Sequence, residues 1–224
     1  MTGVPLLLKS ARLAATVSTL VCAAATCFAG APAASAADPC SDVTVVFARG
    51  TRDAPDLGRP GQAFADSLQG MLAGRTMTTY AVNYPASYDF LTTQDGANDA
   101  ANYIASLVAQ CPSTHIVLGG YSQGAAVVDM LAGIPPLGKH VGDIGSAPPL
   151  AANLVPKIAA VVAFGNPATK FGNPLTSSVW GGKAIDLCAD GDPICSRGRN
   201  PFAHSDYTTN GMTDQAASFV AGIV

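Results

Sequence analysis

The sequence predicts an α/β domain with a doubly wound, mostly parallel five-stranded sheet and helices on both faces. Two observations and one rule of chain topology carry that expectation. Short apolar runs suited to buried strands alternate with longer segments whose apolar residues recur at helical spacing. Strands separated by helical segments pair in parallel through right-handed crossovers, which places helices on both faces of the sheet. Between one apolar run and the next helical segment sits Gly120-x-Ser122-x-Gly124, and such a turn belongs at the carboxyl end of a strand, where open α/β sheets keep their active sites.

In chain order, residues 1–37 read as a signal peptide. Lys9 and Arg12 are its positive start, residues 13–29 are apolar and mostly small, and Ala34-Ser35-Ala36 or Ser35-Ala36-Ala37 offers a cleavage site. Gly30 and Pro32 break the apolar run, which is short for a membrane span. Residues 38–224 are then one exported domain, secreted to the extracellular space or retained at the cell envelope.

The first strand is expected over 43–47, ending at Ala48-Arg49-Gly50-Thr51. A helix over 60–73 follows, with Phe64, Leu68, Met71 and Leu72 on one face, then a strand over 78–84 closed by Pro85. Ala100, Tyr103, Ile104, Leu107 and Val108 mark a second helix over 95–110. The strand over 116–118 is broken by Gly119 and Gly120, and the elbow helix runs from 125 to 131. Further strands are expected over 158–164 and 183–187, and a last helix over 213–220.

Lys and Arg number 12 against 15 Asp and Glu, a net charge of -3 that becomes -5 when Lys9 and Arg12 are removed. Nothing in this balance calls for nucleic acid. With 12% charged residues and 16 prolines, the surface suits uncharged or interfacial material. Four cysteines remain in the exported domain: Cys40, Cys111, Cys188 and Cys195. Cys40 and Cys111 each precede a strand, whereas Cys188 follows the last one. A five-residue strand is roughly 17 Å long, and bridged Cα atoms lie under about 7 Å apart. The pairs are therefore Cys40 with Cys111 and Cys188 with Cys195.

A serine hydroxyl needs a base, and the base needs an orienting acid. Of the three histidines, His115 begins the elbow strand and lies at the wrong end of the sheet, and His140 follows the elbow helix with only Asp129 between it and Ser122. His204 lies beyond the last strand, in a loop on the carboxyl side, and fits the order serine, acid, histidine. Asp186, Asp190 and Asp192 all qualify as the acid, and the loop 188–195 holds two of them. The residues alone leave Asp190 and Asp192 open. Backbone N–H groups for an oxyanion are expected from Gln123 and from Gly50-Thr51, with the Thr51 hydroxyl in reach.

Four motifs in order, Phe47-Ala48-Arg49-Gly50-Thr51, Gly119-Gly120-Tyr121-Ser122-Gln123-Gly124-Ala125, Cys188-Ala189-Asp190-Gly191-Asp192-Pro193-Ile194-Cys195 and His204-Ser205-Asp206-Tyr207, resemble the cutinase family, in particular its actinobacterial cutinase-like esterases. The resemblance implies a small lidless α/β-hydrolase fold and a serine esterase with Ser122 as nucleophile, Asp192 as acid and His204 as base. It places the oxyanion hole on Thr51 and Gln123, although fungal cutinases carry serine where this chain has Thr51. It implies short- to medium-chain esters, cutin-like polyesters or lipids as substrates, with a lipase or phospholipase acting on envelope lipids as the alternative. A non-catalytic binding protein on the same fold is the reading from a different class. Neither metal nor organic cofactor is required. Tyr84, Tyr88, Phe90 and Phe202 are expected at the mouth of the groove, which would be open to water. A monomer is expected, in transient contact with lipid or polymer surfaces.

Overall fold

Along the first strand Val43, Val45 and Phe47 alternate with Val46 and Ala48, and the two sets are buried against different helices. That period of two, buried on both sides, is the mark of a central strand in a sheet covered on both faces. In the computed structural model, which describes residues 40–138 and 143–224, this strand is β1 (Val43–Ala48). The others are β2 (Met77–Ala81), β3 (His115–Tyr121), β4 (Ile158–Phe164) and β5 (Ala184–Leu187). They pair in the order β2-β1-β3-β4-β5, every pair parallel. The expected signal segment, with Cys22 and Cys27, and His140 lie outside the described residues.

The helices are α1 (Gly58–Met71), α2 (Thr93–Gln110), α3 (Gln123–Leu131), the short α4 (Pro167–Lys170) and α5 (Met212–Ala221). Phe64, Ala65 and Leu68 of α1 share a core with Ala216, Ala217 and Val220 of α5 and with Val45, Phe47, Val162 and Phe164 of the sheet. Phe47, Phe64 and Phe164 meet there with ring centroids 6.2–6.3 Å apart. Ala97, Ala100 and Ile104 of α2 pack with Ala125, Val127 and Val128 of α3 on the opposite face, over Val46, Leu118 and Val161. The crossover after β1 thus lies on one face and the crossover after β2 on the other. The chain reverses its winding at β1 and β3, and the crevice beyond their carboxyl ends is where such sheets bind ligands.

Two boundaries differ from expectation in instructive ways. β3 does not stop at Leu118 but continues through Gly119, Gly120 and Tyr121. Gly119 and Gly120 are held in register by Phe47 and Ala48 of β1, so tertiary pairing overrides the local weakness of glycine in strands. β2 ends at Ala81 rather than Tyr84. The elbow helix α3, read at helical spacing, is in fact buried on all sides along its whole length, as expected of a helix enclosed by other elements. Between α3 and β4 the described residues contain a single 3₁₀ turn, Val155–Lys157, and no cap domain. Cys40 and Cys111 are bonded at a Cα separation of 5.5 Å, and Cys188 and Cys195 at 5.8 Å.

α3 also carries a buried carboxyl group. Asp129 is fully buried, and its Oδ1 accepts from Asn166 Nδ2 at 3.0 Å, while the same nitrogen donates to Asp186 Oδ1 at 2.7 Å. Among the described residues no donor reaches Asp129 Oδ2. Burial pushes this carboxyl well above the usual range, the Asn166 hydrogen bond opposes the shift, and the Asp186 charge adds to it. A carboxyl whose folded value is raised contributes its full stability below the unfolded value of about 3.9, and loses it as pH rises through the folded value. Asp129→Asn stays neutral at every pH and keeps the shape of the acid. We therefore expect its Tm advantage over the wild type to be negligible near pH 4 and to widen by several degrees toward pH 8. Parallel Tm curves for the two proteins across that range would contradict this account.

Candidate active site

At the junction of β3 and α3 the backbone of Ser122 has φ 56° and ψ -114°. A non-glycine residue there costs about 1–3 kcal/mol, and it persists only where its surroundings leave no alternative. Here the surroundings are two glycines. A Cβ on Gly120 would lie 2.1 Å from the carbonyl oxygen of Gly124, and a Cβ on Gly124 would lie 1.9 Å from the carbonyl oxygen of Ala48. Their absence lets α3 drop onto the ends of β1 and β3, and the turn lifts Ser122 above the sheet. Its backbone N–H is held by Phe164 O of β4 at 2.9 Å. The serine also stands at the N-terminus of α3, where free N–H groups and the helix dipole favour negative charge.

His204 reaches Ser122 from the 3₁₀ segment Pro201–Thr208, which the sequence reading treated as a loop. Asn200 starts the segment by accepting from Phe202 N at 3.1 Å. His204 Nε2 lies 2.8 Å from Ser122 Oγ, and its Nδ1 lies 2.8 Å from Asp192 Oδ2. Tyr121, next to the serine, donates its hydroxyl to the backbone carbonyl of His204 and stacks on the imidazole with centroids 5.0 Å apart.

Asp192 is fully buried inside the loop closed by Cys188 and Cys195. Burial alone would raise its carboxyl. Hydrogen bonds from His204, from Tyr207 Oη at 2.6 Å and from Ile194 N at 2.7 Å outweigh burial and hold it below the usual carboxylate range. The other acids left open by the sequence are placed elsewhere. Asp190 is exposed, and Asp186 is engaged by Asn166, Thr169 and the Thr176 N–H. His115 is exposed at the amino end of β3, away from the crevice.

Thr51 and Gln123 face each other across the elbow. The Thr51 hydroxyl donates to Gln123 Oε1 at 2.9 Å, Gln123 Nε2 donates to Thr93 Oγ1 at 2.9 Å, and the Thr93 hydroxyl donates to Phe90 O at 2.7 Å. The Thr51 hydroxyl proton is therefore committed to the glutamine side chain. Among the described residues no acceptor takes the backbone N–H of Thr51 or Gln123. Asp53 fixes the Thr51 turn, its Oδ2 accepting from Gly50 N at 3.0 Å. Burial raises this carboxyl, against the Gly50 N–H and the charges of Arg59 and Arg49. Sequence reasoning missed Asp53, Thr93 and Tyr207, and only Tyr207 left a signal, its three-residue spacing from His204.

These groups open into a cavity of about 600 Å³, which Tyr88 and Phe90 line together with Leu137, Ile144 and Ile194. Tyr84 and Phe202 depart from expectation. Tyr84 is only 4% exposed and lies outside the cavity, because Arg49 clamps it: the guanidinium donates to Tyr84 O at 2.7 Å and the Tyr84 hydroxyl donates back to Arg49 O. Phe202 is 78% exposed and does not line the cavity. Its position at the start of the 3₁₀ segment turns it toward solvent, while His204 two residues on turns inward.

The family model for cutinase matches residues 39–224. The chain belongs to the cutinase family. Among its relatives, the carboxylesterase Culp1 of Mycobacterium tuberculosis is 45% identical over 201 residues, 84% of each chain. The phospholipase Culp4 of the same organism is 45% identical over 212 residues, 94% of this chain and 91% of the relative. The structure of Trichoderma reesei cutinase bound to a C11Y4 phosphonate inhibitor superposes with a TM-score of 0.66 at 39% identity, covering 83% of this chain and 78% of that one.

In this cutinase-family chain the contact of Gly124 with Ala48 is the tightest point of the elbow. We expect Gly124→Ala to cost about 3 kcal/mol, because the added methyl forces backbone apart. For a domain of this size that lowers Tm by about 10 °C, and the reaction of Ser122 with a phosphonate ester should slow in parallel. Wild-type Tm and labelling in Gly124→Ala would show that the close approach is dispensable.

Proposed function

We propose that this cutinase-family protein is an exported serine carboxylesterase that hydrolyses short- to medium-chain esters through an acyl-enzyme. The observation that carries the reading is the unbroken chain from Ser122 Oγ through both nitrogens of His204 to Asp192, each link 2.8 Å. Ser122 attacks the ester carbonyl while His204 Nε2 takes its proton, and Asp192 holds Nδ1–H so that Nε2 faces the serine. The carbonyl oxygen, now negative, accepts from the backbone N–H groups of Thr51 and Gln123. His204 returns the proton to the leaving alcohol, then removes one from the water that attacks the acyl-enzyme, and the carboxylic acid leaves.

Tyr88 and Phe90 supply an apolar wall for the acyl or alcohol part, and with the exposed Phe202 they provide contact with a lipid or polymer surface. Hydrolysis of lipid esters is a second reading, favoured by the 45% identity to a protein named as a phospholipase. Removal of residues 1–37 and export of residues 38–224 as a monomer complete the proposal. Two disulfides suit an oxidising compartment, and Asp38–Val224 forms one compact unit. Among the described residues no helix is long and apolar enough to cross a membrane.

The test is initial rates on p-nitrophenyl esters from acetyl to palmitoyl, for the wild type beside Ser122→Ala. We expect turnover that peaks at short to medium chains and falls at least about a thousandfold in the variant. Equal rates in both proteins, or none with either, would remove the esterase reading in favour of a binding protein. With no cap domain among the described residues, the rate on a longer ester should rise smoothly through its critical micelle concentration, and an abrupt jump there would reveal a gate.

A further inference from the structure

Tyr207 is the one fully buried tyrosine that touches the Ser-His-Asp chain, and the mechanism above leaves its hydroxyl without a task. It comes from the same 3₁₀ segment as His204, three residues on. In a 3₁₀ helix side chains at that spacing eclipse one another, so both reach the same carboxylate. Oδ2 of Asp192 receives His204 Nδ1 at 2.8 Å and Tyr207 Oη at 2.6 Å, while Oδ1 receives Ile194 N at 2.7 Å. The Tyr207 oxygen in turn accepts from Ala189 N at 3.0 Å and lies 3.4 Å from Cys195 Sγ, at the two ends of the disulfide loop. Its proton and one lone pair are thus both in use, and its ring is fixed edge-on against Phe164 and Tyr121.

We propose that Tyr207 is a positioning residue of the esterase: its hydroxyl locks the Asp192 carboxylate in plane and draws charge away from the oxygen that His204 shares. With Ile194 N on one oxygen and Tyr207 on the other, the carboxylate is oriented whether or not the imidazole carries its second proton. Burial, followed by the hydrogen bond to Asp192, raises the phenol far above its ordinary range, so it stays a neutral donor throughout the working pH. The titratable and charged groups that act on this cluster are Asp192, His204 and Tyr121, with Asp53 and Arg59 on the cavity side. All of these residues remain present when only the phenolic oxygen is removed, so a shift in the profile reports on the Tyr207 hydroxyl.

The inference rests on the esterase reading and is tested by Tyr207→Phe, which keeps the ring. Without the hydroxyl, more of the carboxylate charge faces the imidazolium. The acid limb of the kcat/KM profile should then move to higher pH by about 0.5 unit. kcat at the plateau should fall several-fold as the carboxylate loosens, with KM within about twofold of the wild type. Replacement of Tyr207 by 3-fluorotyrosine preserves packing and makes the phenol a stronger donor, so the limb should move the opposite way. That arm decides the matter if Tyr207→Phe does not fold. The His204 Nδ1–H proton resonance, read in the resting protein, should move downfield in Tyr207→Phe. A wild type without Ser122-dependent turnover would sink the esterase reading alone, since the resonance still reports on Tyr207. Superimposable pH profiles, or an unmoved resonance, would overturn the role of Tyr207.

Discussion

The structure depends on how closely α3 approaches the carboxyl ends of β1 and β3. Ala48 O, Gly120 and Gly124 occupy space in which no Cβ fits, and the turn that results holds Ser122 at φ 56°. The cost of that backbone is met by burial, since every residue of α3 is enclosed and the helix cannot relax outward without exposing Ala125, Val127 and Val128. Thr51 and Gln123 are brought face to face by the same approach, so the placement of Ser122 and of these two residues follows from one packing constraint.

Much of this was legible in the chain because it is encoded locally. The strand over 158–164 was readable to the residue, and the alternation of apolar runs with helical segments required a parallel sheet, which in turn selected the two disulfide pairings by strand length alone. The glycines at 119 and 120 read as a break because glycine is weak in an isolated strand. Only the neighbouring β1 shows why the strand continues. Asp190 and Asp192 could not be separated by residue type, because what separates them is burial and three converging donors. Tyr84 was misplaced for a similar reason: an aromatic after a strand end suits a groove wall, and nothing local announces that Arg49, 35 residues away, will fold the ring into the core.

Two fully buried carboxyls show how environment decides the behaviour of chemically identical groups. Asp192 receives donors on both oxygens and is held ionised. Asp129 receives one shared amide N–H, has an oxygen with no donor among the described residues, and is pushed toward the neutral acid. Desolvation opposes the charge in both, and the number of donors decides the outcome. The first group can orient a histidine, while the second joins α3 through Asn166, in the segment after β4, to Asp186 of β5.

The grip of Tyr121 on the backbone of His204 has a consequence for tolerance to error. Ser122 and His204 are 82 residues apart in the chain, and small misalignments in the intervening helices and strands would ordinarily accumulate at the point where they meet. The loop is closed a second time through the residue beside the serine, so the imidazole takes its position from the neighbour of Ser122. Changes elsewhere in the sheet can then drift without spoiling the register of Ser122 and His204, and the cavity beside them can be remodelled around an alignment that it does not control.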